Sequence, residues 1–256
     1  MVLKVDKLCK SYEKGCFLFK KKKKDILKNI SFEVKPGEIF SIIGQSGAGK
    51  STIGKIILGI EKKDSGTIEF LDKPLEKRDI RDIQMIFQDP YSSLNPAMKI
   101  KDILAEPLKA NGEKNKQLID EKVGHMLEEV GLHKACGEKY PCELSGGQRQ
   151  RVVIGAAMIL DPKLVVCDEP VASLDLSIQR QILKLIKKFN REKNTTFIFI
   201  SHDLGVVYNI SDRILVLYKG ETQEITDALD FFDCPKSEYG KELLDGIRIK
   251  KTDSVK

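Results

Sequence analysis

The residues Gly44-Gln45-Ser46-Gly47-Ala48-Gly49-Lys50-Ser51-Thr52 follow directly on an apolar run that ends at Ile43, and they open onto a second apolar stretch. This is the spacing GxxxxGK(S/T) between a strand pattern and a helix pattern, which is that of a phosphate loop. The chemistry accounts for the residue types. Glycines let the backbone turn its N–H groups inward, and the helix amino end adds partial positive charge. Lys50 is placed to reach β and γ phosphates, and the Ser51 hydroxyl can serve Mg²⁺. A strand, loop and helix in this order commit the chain to an α/β architecture.

The rest of the sequence extends that pattern. Short β-branched runs at Ile30 to Val34, Ile39 to Ile43, Thr67 to Leu71, Ile83 to Phe87, Leu164 to Cys167, Thr196 to Ile200 and Ile214 to Leu217 read as strands of a largely parallel sheet. Ile178, Ile182, Leu185, Ile186 and Phe189 share one helix face. From about Ile100 to Leu160 the alternation breaks: Ile119, Val123, Met126, Leu127 and Val130 form one helical stripe, and Val152, Val153, Ala156, Ala157 and Leu160 another. A helical subdomain is therefore expected inside the α/β core. The tail after Tyr239 is polar at its end and is expected to fray.

The 256 residues suit one large domain or two small ones, and 41% apolar with 32% charged residues excludes collagen-like and low-complexity chains. The net charge of +6 resides largely in the run Lys20 to Lys24, read as a solvated loop. No stretch approaches the roughly 20 apolar residues of a membrane span, and MVLKVDKLCK lacks the apolar centre of a signal peptide, so a cytoplasmic chain is expected. Cys9, Cys16, Cys136, Cys142, Cys167 and Cys234 are scattered without a CxxC pair, which predicts free thiols.

Two further motifs carry chemistry. The strand Leu164 to Cys167 ends in Asp168-Glu169, which sets two carboxylates at the edge where open α/β sheets bind ligands. Asp168 is expected in the Mg²⁺ shell, and Glu169 is expected to polarise an attacking water. Phosphate loops also serve kinases and GTPases, and Leu144-Ser145-Gly146-Gly147-Gln148 separates this chain from them. It supplies a second anion site at a helix start. A single nucleotide does not need two, so the second is expected to serve a nucleotide held by another subunit.

With these motifs the sequence resembles the ATP-binding cassette (ABC) ATPases along nearly its whole length. The resemblance implies a nucleotide-binding domain with a P-loop core at about 1–90 and 161–225, an antiparallel β part, a helical subdomain at about 91–160 and a short tail at about 226–256. It implies that Tyr12 stacks on adenine, with Phe17 or Phe19 as competitors, and that Gln88 senses Mg²⁺ and water. It assigns Asp175 to the loop linking two sites and His202 to the γ phosphate. Lys50, Gln88, Glu169 and His202 become the catalytic set. Gly44 to Thr52, Ser145 to Gln148 and Asp175 bind ATP, and Ser51, Gln88 and Asp168 hold Mg²⁺.

The strings FQDPYSSLNP (Phe87 to Pro96) and CDEPVASLDLSIQ (Cys167 to Gln179) look like the ATPase subunits of dipeptide, oligopeptide and nickel importers. That likeness implies membrane permease subunits docked near Asp89 to Met98, a second cassette that is either a sister chain or a second copy, and indirectly an extracellular substrate-binding protein. It puts the chain at the cytoplasmic face of a membrane. Cys142 stands where such relatives usually carry His, and the tail is short and lacks a cysteine cluster. An ABC-superfamily ATPase acting on nucleic acid is the alternative, but only 95 residues separate Lys50 from Ser145 and no coiled-coil heptads fill them.

Overall fold

The computed structural model describes residues 1–14, 22–75 and 80–253. Cys16, Phe17, Phe19, Lys20 and Lys21 lie outside the described residues. The chain forms two compact units, Met1–Arg78 with Thr196–Lys256, and Asp79–Thr195.

In the first unit, β1 (Leu3–Lys14) pairs antiparallel with β2 (Lys22–Val34) and with β4 (Ser65–Phe70), and the short β5 (Lys73–Pro74) completes the order β2-β1-β4-β5. A second run of strands centres on β3 (Ile39–Ile43), which lies parallel between β8 (Thr196–Ser201) and β9 (Arg213–Tyr218), with β10 (Glu221–Asp227) antiparallel on β9. All five β3 residues are buried, as a strand covered on both faces requires. The chain leaves β3 at its carboxyl end, passes through the phosphate loop and enters α1 (Lys50–Ile57). The strand order reverses there, since β8 and β9 flank β3 on opposite sides, and open sheets bind ligands at such a point. Helices α7 (Leu204–Ile210), α8 (Ala228–Asp233) and α9 (Glu238–Asp253) complete this unit.

In the second unit, β6 (Ile83–Ile86) pairs parallel with β7 (Leu164–Asp168), and a short helix α2 (Pro90–Ser93) precedes a helical layer. That layer contains α3 (Ile100–Ala110), α4 (Lys116–Glu129) and α5 (Gly146–Met158), followed by α6 (Leu176–Lys193) after β7. The backbones approach closely at Gly155, where a Cβ would lie 3.2 Å from both Leu104 and Met126. Helix α6 buries Ile182, Leu183, Leu185, Ile186 and Phe189, each worth about 1.5–3 kcal/mol when fully removed from water. Arg151 ties the layer together by donating to the Val130 carbonyl and to Gln181 Oε1.

All seven expected strands form. Two expectations are corrected. Lys22 to Lys24 are not loop but the start of β2, where Lys24 faces Tyr12 and Lys23 faces Glu13 across the ladder. In place of a loose tail from Tyr239 onward, α9 runs Glu238–Asp253, anchored by Tyr239 and Leu244 in a core with Ile43 and Phe231, and 254–256 lie outside the described residues. The sequence reading also passed over β1, β5 and β10. In β1 a register shift between Val5 and Leu8, with Lys7 at φ 49°, interrupts the alternation, and β10 is a polar edge strand.

Candidate functional site

The phosphate loop begins where β3 ends. Gln45, Ser46, Gly47 and Ser51 are exposed, whereas Lys50 is 5% exposed. The Lys50 ammonium turns back into the loop, donating to the Gly44 carbonyl at 2.8 Å and the Gln45 carbonyl at 3.1 Å. Gly49 caps α1 with φ 109°, and a Cβ there would lie 2.6 Å from Leu27 Cδ2 and 3.0 Å from the Ile26 carbonyl, so a side chain at this position would be strained and crowded. No side chain caps α1 at Gly49, and the amino end of such a helix favours an anion.

Two other expected residues belong to this unit. His202 follows β8 and is exposed. Asp203 caps α7 by accepting from Gly205 and Val206 N–H, while its own N–H donates to Ser201 Oγ, so His202 sits between two fixed residues. Tyr12 is 39% exposed on β1, with Lys10 Nζ 5.0 Å from its ring centroid. Lys10 in turn pairs with Glu61 at 2.7 Å and donates to the Lys62 carbonyl. The hydrogen bond to Glu61 holds the Lys10 ammonium above its ordinary pKa, so the ring is supported from one side by a fixed cation.

In the second unit, Asp168 closes β7 and Glu169 follows in left-handed backbone, φ 50°. A glutamate held there stores strain that the surroundings must offset. Gln88, just beyond β6, donates from Nε2 to Glu169 Oε2 at 3.3 Å. The parallel pairing of β6 and β7 brings these two together, since Ile86 stands opposite Cys167.

The pentapeptide at α5 is a helix start of a particular kind. Ser145 Oγ accepts from Gln148 N–H, and Gln148 Oε1 accepts from Ser145 N–H, a reciprocal capping box. The Ser145 hydroxyl keeps its own proton for donation outward. Gly147 has a packing reason as well: a Cβ would lie 2.7 Å from Ile178 Cγ2 on α6. Asp175 caps α6, accepting from Ser177 and Ile178 N–H and from the Ser177 hydroxyl. The sequence reading assigned these residues to ligand contact, and the structure gives each a local role in addition. It also brings in Tyr239, which the reading had not singled out: its hydroxyl accepts from Gln45 N–H at 3.1 Å. With 194 positions between them, no local signal could have found the pair.

The ABC transporter family model matches residues 27–172, from β2 through the loop, the signature and Asp168-Glu169. The chain belongs to the ABC transporter family. The oligopeptide transport ATP-binding protein OppF of Haemophilus influenzae is 41% identical over 93% of this ABC ATPase and 74% of its own length. AppF of Bacillus subtilis, also an oligopeptide transport ATP-binding protein, is 40% identical over 93% of this chain and 76% of its own. Among solved structures, cbiO1 from Clostridium perfringens, part of the transporter complex cbiONQ, superposes with TM-score 0.80 at 28% identity, covering 99% of both chains. The dimeric cassette MJ0796 bound to ADP and Pi gives TM-score 0.77 at 28% identity, covering 88% of this chain and 98% of its own. This cassette is thus an ATP-hydrolysing transporter subunit, and nothing in these matches favours a nucleic-acid ATPase. Among its described residues no helix is long and apolar enough to cross a membrane.

Proposed function

We propose that this cassette powers the import of oligopeptides by hydrolysing Mg·ATP at the face of permease subunits, paired with a second cassette. The chain is a single cassette domain. ATP lies on the loop Gly44 to Thr52, with Tyr12 on the adenine, Lys50 on the β and γ phosphates and His202 at the γ phosphate. The donors Ser51, Asp168 and Gln88 are hard oxygen ligands, which fits Mg²⁺ and suits no softer metal. When bound, Mg²⁺ neutralises charge on the phosphates.

The observation that carries this reading is the Gln88 to Glu169 hydrogen bond, because it fixes a carboxylate at the end of a parallel strand next to an amide that can orient a water. Glu169 accepts the water's proton while Gln88 holds the water's direction. Ser145, Gly146, Gly147, Gln148 and Asp175 serve the nucleotide of the partner cassette. That partner is a sister chain rather than a second copy, as in importers that use two different cassettes.

Asp89 to Met98 contacts the permeases. Leu94 is buried and anchors the segment, and Ser92, Ser93, Asn95, Pro96 and Ala97 are exposed around it. The chain is then peripheral, at the cytoplasmic face, with a substrate-binding protein acting on the far side. The relatives named for oligopeptide transport favour peptide over nickel as cargo.

The test is uptake in cells whose only copy carries Glu169→Gln. Loss of labelled oligopeptide uptake, with nickel uptake intact, is the expected result, and the reverse pattern overturns the peptide assignment.

A further inference from the structure

Within the first unit, the carboxyl-terminal helix reaches back to the phosphate loop. The Gln45 N–H donates to the Tyr239 hydroxyl at 3.1 Å, and the carbonyl of the same peptide group, Gly44 O, accepts from Lys50 Nζ at 2.8 Å. One peptide plane is therefore gripped at both polar ends. A third restraint is steric, because Gly44 has φ 152° and a Cβ there would collide with the Leu217 carbonyl of β9. The first turn of the loop thus rests on β9 and hangs from α9.

Tyr239 is built to stay in place. It is 5% exposed, and its ring packs on Tyr218 with centroids 4.2 Å apart and a 32° tilt. The start of α9 is pinned by Glu224 on β10, whose Oε2 accepts from Lys236 N–H at 2.8 Å and Ser237 N–H at 3.0 Å. Ser237 Oγ accepts from Gly240 N–H at 2.9 Å, which closes the first turn around Tyr239. Burial pushes the phenol above its ordinary pKa, so the hydroxyl stays neutral. The Gln45 N–H is committed to that hydroxyl and not offered to an anion. Its bond orients the peptide whose carbonyl holds Lys50.

We infer that Tyr239 is a positioning residue for nucleotide binding: its hydroxyl holds the Gly44–Gln45 peptide, so that the carboxyl-terminal helix sets the shape in which the loop meets a triphosphate. The inference rests on the phosphate-loop reading above. It predicts that removing the hydroxyl weakens binding before it touches the chemical step, since the bond of that hydroxyl is to the loop backbone.

The experiment compares Tyr239→Phe with Lys50→Ala in the full chain. Phenylalanine keeps the ring on Tyr218 and removes one oxygen. Equilibrium binding of ATP is measured by calorimetry, and KM and kcat are measured on the assembled transporter. Tyr239→Phe should raise the Kd and KM for ATP by about fivefold or more, with kcat within about twofold of wild type. A purely structural role lowers the melting temperature without changing that split. Wild-type Kd in Tyr239→Phe, together with loss of binding in Lys50→Ala, overturns the inference alone. Undiminished ATP binding in Lys50→Ala overturns the loop reading and the inference with it. If Tyr239→Phe does not fold, hydrogen exchange at the Gln45 amide of the wild type decides. Protection with and without ATP is expected, and rapid exchange in both states overturns the hydrogen bond.

Discussion

Gln88 and Glu169 meet through a side-chain hydrogen bond of 3.3 Å, although 81 positions separate them. The bond follows from the register of β6 on β7, which brings Gln88, two residues beyond β6, and Glu169, the residue after β7, to the same edge. A carboxylate aligned in this way is set to accept a proton from water, so Glu169→Gln should lower kcat by roughly 10²- to 10⁴-fold while ATP still binds. Single-turnover hydrolysis beside equilibrium binding checks both halves. Normal turnover in the variant removes Glu169 from the base role and makes His202 the next residue to test.

The second anion site predicts complementation. Ser145→Arg in this cassette and alanine at the phosphate-loop lysine of its sister cassette put both lesions at one seam and leave the other seam intact. The mixed pair should hydrolyse ATP faster than either doubly mutant pair. A rate per chain that ignores both partner and concentration contradicts the assignment of Ser145 to a partner's nucleotide.

Gly147 faces Ile178 at a separation no Cβ tolerates, so Gly147→Ala must push α5 from α6. Overpacking of this kind costs about 1–3 kcal/mol. The expected result is a lower melting temperature in the absence of nucleotide. Gly146→Ala, whose Cβ would find Leu174 at an ordinary 3.9 Å, should leave the melting temperature nearly unchanged. Equal melting temperatures for the two variants would show that the glycine pair is there for the ligand alone.

The acid limb of stability should include Asp175. Hydrogen bonds from the Ile178 N–H and then from the Ser177 hydroxyl hold its carboxyl below the ordinary value of 3.8. A depressed pKa in the folded state gives stability that is present above that value and is lost as pH falls through the folded pKa. Asp175→Asn keeps a cap but cannot titrate. Its acid unfolding should therefore be less steep below about pH 4 than that of wild type, as followed by circular dichroism.

Gln150 is fully buried in α5, and neither its Nε2 nor its Oε1 has a hydrogen-bond partner among the described residues. Leaving such groups unpaired costs about 1–3 kcal/mol. Gln150→Leu, close in volume, should raise the midpoint of urea unfolding at unchanged slope. A lower midpoint shows that the amide has a partner in solution.

The sequence by itself determined the chemistry and the fold class. The phosphate loop, Asp168-Glu169 and Leu144 to Gln148 are contiguous strings whose function depends on local backbone shape, and local shape is what a short stretch of residues encodes. The helical stripes around Val123 and Val152 were legible for the same reason, since each is a single period repeated along one element. The polar strands were not. Leu3–Lys14 carries a register shift and Glu221–Asp227 is a polar edge, so pairing with a neighbouring strand, and not periodicity, makes them strands. Only the tertiary structure decided that Lys22 to Lys24 join a ladder, that Gly147 yields its side-chain space to Ile178, and that Tyr239 hangs the phosphate loop from the last helix. The Tyr239 and Gly147 contacts join residues far apart in the chain, whereas Lys23 and Lys24 face Glu13 and Tyr12 across a hairpin. The energy of the distant contacts is realised only when folding has met the entropy cost of bringing the partners together, and no short window of sequence contains both.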